Sequence, residues 1–248
     1  MTRRRWIADE VVGNTASLLG DHAIHLTRVL RARVGQQFDI SVGVDGGGEV
    51  RRGTITAISG HRVEFALGNQ IDKSSDSISQ ITLVLAIFKF DRMEWAIEKC
   101  TEIGVSRIIP LIANRSDAHL VAASAKRVER WQRIARQSAE QSRRAAPPEI
   151  TLPMKLQDLA QSLPAASTIR VILAETLAES QENRLTEILQ ASPTGEAALA
   201  IGPEGGWTED ELAWFRDAGW IAASLGPTIL RAETSAIVAA ALAMDALS

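Results

Sequence analysis

The sequence reads Ile81-Thr82-Leu83-Val84-Leu85-Ala86-Ile87-Phe88, and Thr82 is the single polar side chain in these eight positions. A strand buried on both faces of a parallel sheet has this composition, whereas a strand with one solvated face alternates apolar and polar residues. A helical pattern follows over 92–103 and stops at Gly104, and a second apolar run occupies Arg107–Ile112. This stretch therefore predicts a βαβ unit within an α/β layer.

The same alternation of strand and helix patterns continues towards the C-terminus. The further elements that we predict are strands over 169–174, 197–201 and 221–225, and helices over 124–144, 182–190, 209–218 and 234–247. The last helix is apolar nearly all round, which predicts burial on all sides. The predicted fold class is α/β with a mostly parallel sheet.

The first 70 residues have a β-rich pattern instead. Gln37–Val42 alternates with period two, and the glycines of 45–48 predict a turn. Two more strands are predicted over 49–58 and 61–67, and one short helix over 21–31. Several short strands with one helix predict a small barrel. The polar stretch Asp72–Ser77 predicts a linker, so we divide the chain into residues 1–72 and 73–248.

Composition excludes several classes of protein. Of the 248 residues 46% are hydrophobic, and Cys100 is the one cysteine, which excludes a disulfide framework and a multi-cysteine metal site. The four histidines lack zinc-ligand spacing, so we expect no metal. No apolar run approaches the roughly 20 residues that span a bilayer, and no signal-peptide pattern follows the first residues. We therefore expect a soluble, cytoplasmic protein with no membrane partner.

The net charge of −3 conceals a segregated pattern. Residues 126–144 carry 7 basic and 2 acidic side chains, whereas residues 145–248 carry 5 and 14. Contact with phosphate depends on local charge, so the basic segment predicts a nucleic-acid surface. A solvated basic helix face is the alternative. Spacings of four, four and three place Arg133, Gln137, Gln141 and Arg144 on one face of the predicted helix.

Ligands of open parallel sheets bind at the carboxyl ends of the strands. The loop over 202–206 contains three glycines, and Thr208 and Glu211 have capping-box spacing, so a helix begins directly after the loop. A helix N-terminus beside a glycine loop favours a ligand cradle, although a tight turn without a ligand is the alternative. The loop is neither G-x-G-x-x-G nor a P-loop, which disfavours dinucleotides and ATP. Arg231 and Glu233 lie ahead of the apolar helix, where they need partners or pair with each other.

Two motifs at these strand ends resemble the SPOUT class of S-adenosylmethionine-dependent RNA methyltransferases. They are Ile201-Gly202-Pro203-Glu204-Gly205-Gly206 and Leu225-Gly226-Pro227-x-Ile229-Leu230-Arg231-x-Glu233-Thr234. Three more stretches in matching order are His25-x-x-Arg28-Val29-Leu30-Arg31, Met93–Val105 after Lys89, and Trp131–Arg144 followed by Pro148-Glu149-Ile150. Nearly the whole chain thereby resembles the bacterial 16S ribosomal RNA (uracil-N3)-methyltransferase family. Thr228 and Ser235 depart from its pattern, which commonly has arginine and alanine there.

The resemblance implies a SPOUT-type trefoil-knotted domain with a mostly parallel sheet over 73–248, preceded by a small PUA-like β-barrel RNA-binding domain over 1–72. It implies S-adenosyl-L-methionine as the cofactor, 16S rRNA of the 30S ribosomal subunit as the substrate, and a homodimer with the active site near the interface. The implied reaction is methylation of N3 of a specific uridine. Another RNA target, such as a tRNA base or a ribose hydroxyl, and a non-catalytic ribosome-assembly factor stay open as alternatives.

This reaction suggests roles for three residues, and the resemblance places the cofactor site. We expect Arg231 to stabilise a uracil anion and Glu233 or Glu204 to accept the N3 proton. The alternatives are a structural pair of Glu233 with Arg231 and hydrogen bonds from loop amides to Glu204. The cofactor-binding residues are Leu173, Ala174, Glu175, Ile201, Gly202, Pro203, Glu204, Gly205, Leu225, Gly226, Ile229, Leu230 and Thr234. The RNA-binding residues are Arg28, Arg31, Asn114, Arg115, Arg133, Gln137, Gln141, Arg143 and Arg144. Ile201 and Ile229 are expected to pack against the adenine, and Trp131 to lie in the core.

Overall fold

The computed structural model describes residues 4–43, 49–72, 80–163, 168–174, 184–191 and 195–247. The chain divides into two compact units. Unit 1 comprises Met1–Asp76 and Arg136–Pro147, and unit 2 comprises Ser77–Ala135 and Pro148–Ser248. A segment from the middle of the chain therefore completes the N-terminal unit. The predicted turn over 45–48 and most of the predicted linker lie outside the described residues.

Unit 1 contains a six-stranded sheet in the order β1-β4-β5-β6-β3-β2, in which β1 and β4 are parallel and the other neighbours antiparallel. The strands are β1 (Trp6–Ile7), β2 (Glu10–Val12), β3 (Thr15–Leu19), β4 (Gln37–Val42), β5 (Glu49–Ser59) and β6 (Arg62–Asp72). The predictions for β4 and β5 are confirmed, and β6 extends five residues further than predicted. The sequence pattern missed β1, β2 and β3 because they have only two to five residues.

The predicted helix of unit 1 is confirmed but has two parts. Helix α1 (Gly20–Ile24) continues as a π-helical turn over His25–Val29, in which the Leu30 N–H donates to the His25 carbonyl at 3.1 Å. Arg31 then adopts φ +52°, in the left-handed region that non-glycine residues rarely occupy. The turn therefore ends abruptly at Arg31, and the Ala32 N–H closes it on the Leu26 carbonyl at 3.1 Å.

Unit 2 contains a seven-stranded sheet in which every described pairing is parallel. Its order is β10-β8-β7-β12-β11-β13, and β9 also pairs with β8. The strands are β7 (Gln80–Ala86), β8 (Arg107–Ile112), β9 (Glu149–Ile150), β10 (Met154–Lys155), β11 (Ile169–Leu173), β12 (Glu196–Ile201) and β13 (Ile221–Ala223). The predicted α/β class with a mostly parallel sheet is confirmed.

Helices pack on both faces of this sheet. The helices in this part of the chain are α2 (Phe90–Ile103), α3 (Ala118–Ser124), α4 (Val128–Gln141), α5 (Leu156–Ser162), α6 (Leu185–Gln190), α7 (Glu209–Asp217) and α8 (Ala232–Leu247). Leu83 and Leu85 of β7 pack in a cluster with residues of α2 and α8, whereas Val84 packs in a second cluster with residues of α5 and α7. The central strand is thus buried on both faces, as its apolar run predicts. Burial also raises the pKa of the Cys100 thiol to about 12, so this cysteine is an unreactive core residue.

Two predicted helices differ from the structure. Helix α4 ends at Gln141 rather than 144, because Arg143 adopts φ +63° and the Arg144 N–H closes on the Ala139 carbonyl at 2.9 Å, as in a Schellman motif. Helix α8 is buried on one side only, since Ala241 and Asp245 are exposed. Trp131 lies in the core as expected. No helix in the described parts of the chain is long and apolar enough to cross a bilayer.

Candidate functional site

Three neighbouring strands of unit 2 end level with one another. Leu173 at the end of β11 pairs with Ile201 of β12 on one side and with Ala223 of β13 on the other. The chain segments that follow these strands therefore start at one edge of the sheet. These are the segments that the sequence predicted to form a ligand site, although Glu175 lies outside the described residues. Open parallel sheets bind their ligands at such an edge.

The loop after β12 is a tight turn that requires glycine. The Gly206 N–H donates to the Pro203 carbonyl at 2.8 Å, and Gly206 adopts φ +70°. A Cβ on Gly202 would lie 3.1 Å from the indole of Trp207. That indole Nε1–H donates to the Leu173 carbonyl at 3.1 Å. The loop is thus fixed to the end of β11, and one lone pair of the Leu173 carbonyl is already used.

The predicted capping box at the start of α7 is confirmed. The Glu211 carboxylate is buried and accepts bonds from the Thr208 N–H at 2.8 Å and the Thr208 hydroxyl at 3.0 Å. It also accepts a bond from the Asn114 N–H at 2.7 Å, and the Asn114 amide donates to the Thr208 hydroxyl at 3.2 Å. One carboxylate therefore joins the end of β8 to the helix that follows the glycine loop.

Replacing Glu211 by Ala is expected to lower the free energy of unfolding by about 3 kcal/mol, because three donors lose their acceptor inside the protein. Urea unfolding measures the change. Glu209 lies in the same first turn but is exposed, so Glu209→Ala is the matched control and should change the free energy by less than about 0.5 kcal/mol. Equal losses in the two variants would contradict the role of Glu211.

Arg115 also supports the glycine loop. Its Nη1 donates to the Gly205 carbonyl at 2.9 Å, and a Cβ on Gly205 would lie 3.3 Å from the Arg115 Cβ. Asn114 and Arg115 were predicted to bind RNA, and the structure places both beside the loop that the sequence assigned to the cofactor. Arg115 is exposed, so its other nitrogens are free to meet a ligand there.

The sequence prediction missed Arg92, which connects two parts of this edge. Its Nη1 lies 2.5 Å from Glu204 Oε1 in the glycine loop, and its Nε lies 3.7 Å from Glu233 Oε1 at the start of α8. Arg92 occupies the first turn of α2, just after β7, where the helix dipole disfavours a cation. A basic residue in that unfavourable position was the signal that could have identified it.

The side chains of Arg231 and Glu233 do not pair with each other. The Glu233 side chain is 6% exposed, is paired with Arg92, and its Oε2 has no hydrogen-bond partner among the described residues. Arg231 is exposed and forms no side-chain hydrogen bond or ion pair with any residue that the structure describes. A buried carboxylate oxygen without a donor is costly unless a ligand or water supplies one. Glu233 therefore offers an unsatisfied acceptor oxygen, and Arg231, two residues earlier in the chain, offers a guanidinium without a partner among the described residues.

The loop after β13 is open to solvent. Ile229 is 81% exposed, Gly226 adopts φ +133°, and Leu225 and Leu230 are half-buried. An isoleucine this exposed is covered readily by an apolar surface such as an adenine ring. Ile201 differs, because its side chain is 2% exposed and packs in the core. The buried side chain of Ile201 therefore does not favour the expected packing against an adenine.

The other predicted cofactor residues occupy the same edge with differing exposure. Ala174 and Pro203 are buried, Gly202 and Thr234 are half-buried, and Glu204 is exposed. In the described residues, no group of three or more His, Cys, Asp or Glu side chains is arranged to hold a metal ion.

The remaining predicted RNA-binding residues differ in their environments. Five of them are exposed: Arg28, Arg31, Arg133, Gln137 and Gln141. Arg143 is exposed as well but lies 3.1 Å from the Asp39 carboxylate. Burial lowers the pKa of Arg144 to about 10, and Arg144 lies beyond the end of α4. The predicted common helix face thus includes Arg133, Gln137 and Gln141 but not Arg144.

Comparison with known proteins gives consistent matches. The family model for the RNA methyltransferase domain matches residues 75–244. The ribosomal RNA small subunit methyltransferase E of Synechocystis sp. is 30% identical over 94% of this chain and 74% of its own length. The enzyme of that name from Mycobacterium tuberculosis is 33% identical, with 92% and 85% covered.

Solved structures agree with these matches. The ribosomal RNA small subunit methyltransferase E of Neisseria gonorrhoeae, solved with bound S-adenosylmethionine, superposes with a TM-score of 0.82 at 30% identity, covering 96% of this chain and 95% of that one. A Legionella pneumophila protein in complex with the same cofactor has a TM-score of 0.82 at 26% identity, with 99% and 98% covered. The chain described here therefore belongs to the RNA methyltransferase family, and within it to the ribosomal RNA small subunit methyltransferase E group.

Proposed function

We propose that this protein transfers the methyl group of S-adenosylmethionine to N3 of a specific uridine in the 16S rRNA of the small ribosomal subunit. The observation that carries the proposal is the level ending of β11, β12 and β13, which brings the glycine loop and the Arg231–Glu233 segment to one edge. The Neisseria gonorrhoeae relative, which shares the fold over 96% of this chain, was solved with that cofactor bound. The position of the methylated atom rests on the family resemblance.

The residues at this edge fit such a cofactor. Gly202 and Gly205 allow the loop backbone to pack closely on Trp207 and on Arg115, which fixes the loop at the edge where the cofactor binds in this proposal. Backbone groups of Leu173, Gly202, Leu225 and Leu230 read the edge of the adenine in this proposal, and Ile229 covers one face. When bound, the sulfonium supplies an activated methyl group, so positioning accounts for much of the catalysis.

Arg231 and Glu233 act on the uracil. N3 of neutral uracil carries a proton, which must leave before N3 can act as a nucleophile. The Glu233 carboxylate accepts this proton through the oxygen that lacks a partner, while Arg231 donates hydrogen bonds to the neighbouring carbonyl oxygens and stabilises the anion. Arg92 positions Glu233.

Exposed basic residues of each unit contact RNA in this proposal. The PUA-like barrel over 1–72, the trefoil knot over 73–248 and the homodimer are parts of it. The mainly antiparallel sheet of unit 1 supports the barrel. The bridge between Arg184 and Ser224 brings the chain before α8 beside the start of α6, and this proximity supports the knot.

The test is methyl transfer from radiolabelled S-adenosylmethionine to 30S subunits from cells that lack the endogenous enzyme. Digestion and mass spectrometry identify the labelled nucleoside, and 3-methyluridine is the expected product. Cofactor binding without label on 30S subunits would overturn the uridine assignment and favour another RNA target. Neither label nor cofactor binding would favour a non-catalytic assembly factor.

A substitution of Arg31 is expected to weaken RNA binding without lowering the stability of the protein. Because Arg31 adopts φ +52°, Arg31→Gly relieves backbone strain and is expected to leave the free energy of unfolding unchanged or up to about 1 kcal/mol higher. The loss of a phosphate contact should raise the KM for RNA a few-fold. Arg33→Gly is the matched control, since Arg33 is exposed without a positive φ and should lose stability instead. Destabilisation of Arg31→Gly, or an unchanged KM, would contradict the prediction.

A further inference from the structure

A half-open cavity of about 320 Å³, lined mainly by polar residues, lies in unit 1. Its lining residues are Arg4, Trp6, Asp21, His22, His25 and Gln137. Gln137 comes from the segment of α4 that completes unit 1, and the other five come from the N-terminal part of the chain. The volume is at the lower end of the range for small-molecule sites, so the cavity suits a group of the size of one nucleotide.

Flat side chains surround one indole in this cavity. The His25 ring lies 5.8 Å from the Trp6 ring between centroids, and the His22 ring lies 6.4 Å away. The Arg4 guanidinium lies 4.8 Å from the Trp6 ring centroid. Trp6 itself is 1% exposed, so the planes on which an unpaired RNA base can stack are the His25 imidazole and the Arg4 guanidinium that lie against the indole.

Buried ion pairs hold these walls in place. The Glu140 carboxylate is fully buried, forms an ion pair with Arg4 and accepts a bond from the Ile7 N–H at 3.3 Å. His22 lies between two carboxylates, with Nδ1 at 3.4 Å from Asp9 and Nε2 at 3.9 Å from Glu140.

Asp9 remains ionised in this network. Burial raises the pKa of its carboxyl, but bonds from His22 and the Leu19 N–H and the charge of Arg136 outweigh burial, so the pKa lies below its usual value. A network of this kind fixes the side chains before any ligand arrives, which lowers the ordering cost of binding.

The charges of the lining residues do not favour binding of a phosphate in the cavity. Glu140 already neutralises Arg4, and Asp21 adds an exposed carboxylate to the lining. The His25 imidazole, the Gln137 amide and the Asp21 carboxylate instead present both donors and acceptors, as the edge of a base requires. The exposed arginines that phosphates need, Arg28 and Arg31, follow in the next turn of the chain.

We propose that this cavity binds one unpaired base of the RNA substrate, with the flanking phosphates on Arg28 and Arg31. The inference rests on the proposed function, since it assumes an RNA substrate. It goes further by assigning base recognition in unit 1 to His25, Gln137 and Asp21, while the methylated base meets Arg231 and Glu233 in unit 2. Residues of unit 1 thereby help to select the site in the RNA that is methylated.

The test measures binding of fluorescein-labelled RNA pentamers to the full chain by anisotropy. The pentamers carry A, C, G or U at the centre between abasic positions, or are abasic throughout with the same phosphates. Wild-type protein is expected to bind the best of the four at least tenfold more tightly than the abasic pentamer. His25→Ala and Gln137→Ala should each reduce this preference to threefold or less, because each substitution removes a lining side chain. His25 is half-buried and Gln137 is exposed, so neither substitution leaves a hole in the hydrophobic core.

His61→Ala is the matched control, since His61 is an exposed imidazole of the same unit and does not line the cavity. It should keep the wild-type preference. If wild-type protein binds the abasic pentamer as tightly as the others, the proposal is overturned, because contacts with phosphates alone would then account for the binding. Variants that keep the full preference would also overturn it.

Methyl transfer to 30S subunits separates this proposal from the function on which it rests. Both variants should raise the KM for 30S subunits about tenfold, with the Kd for S-adenosylmethionine and the kcat within twofold of wild type. If wild-type protein transfers no methyl group, the proposed function fails whatever the pentamers show. If it does and the variants keep the wild-type KM, only the cavity proposal fails.

Discussion

Arg231→Ala is expected to lower the kcat for methyl transfer to 30S subunits by a factor of about 10²–10³, which is the usual cost of removing one donor that stabilises a developing anion. Arg231 is exposed and unpaired among the described residues, so its removal breaks no structural contact that the structure shows. The loss should therefore appear in kcat, with the free energy of unfolding unchanged within about 0.5 kcal/mol.

Single-turnover kinetics at saturating cofactor measure this effect directly. Arg231→Lys keeps the charge but not the two-pronged geometry, and should recover part of the rate. Arg216→Ala is the matched control, because Arg216 is an exposed arginine at the end of α7 in the same unit and should keep kcat within twofold. An Arg231→Ala variant with wild-type kcat and a raised Kd for S-adenosylmethionine would place Arg231 in cofactor binding instead.

The parts of the fold that could be predicted depend on neighbours in sequence. The bounds of β8 were predicted correctly because one apolar run follows Gly104 and gives way to polar residues from Asn114 onward. The capping box of Thr208 and Glu211 is likewise a local pattern, and the structure shows both of its bonds. Local signals thus placed the glycine loop between a buried strand and a helix N-terminus.

The parts that could not be predicted depend on distant contacts. Residues 126–144 are basic, which predicted a nucleic-acid surface or a solvated helix face, yet Glu140 within them is the fully buried partner of Arg4. A single acidic residue among arginines has no sequence pattern that indicates burial, because its partner lies 136 residues earlier. Arg143 similarly ends α4 in a conformation that sequence patterns assign to glycine.

The candidate site shows the same division. Its loops were predicted from their glycines and from their places after strands, whereas Arg92 was missed because its two partners lie 112 and 141 residues further along the chain. The sequence offered Glu233 and Arg231 as a local pair. The structure instead pairs Glu233 with Arg92, so it leaves Arg231 available for a ligand.

Arg92→Ala is accordingly expected to lower kcat/KM for methyl transfer by about 10²-fold, because misplacing a catalytic group typically lowers the rate by about this factor. The substitution removes the cation that faces Glu204 and leaves the buried carboxylate of Glu233 without an ion-pair partner. An unpaired buried charge is unfavourable, so Glu233 is expected to leave the position from which it accepts the N3 proton. Arg92→Lys carries one ammonium, which cannot meet both carboxylates, so it should give an intermediate rate.

Arg130→Ala is the matched control, because Arg130 forms an equally close ion pair with α2, at 2.6 Å from Glu94, but contacts neither loop. It should keep kcat/KM within twofold, and calorimetry and urea unfolding of each variant separate cofactor binding and stability from catalysis. A loss in Arg92→Ala that matched its loss of folded protein would reduce Arg92 to a structural residue. A loss confined to kcat, with partial rescue by Arg92→Lys, would show that Arg92 positions Glu233 for the reaction through its contacts with Glu204 and Glu233.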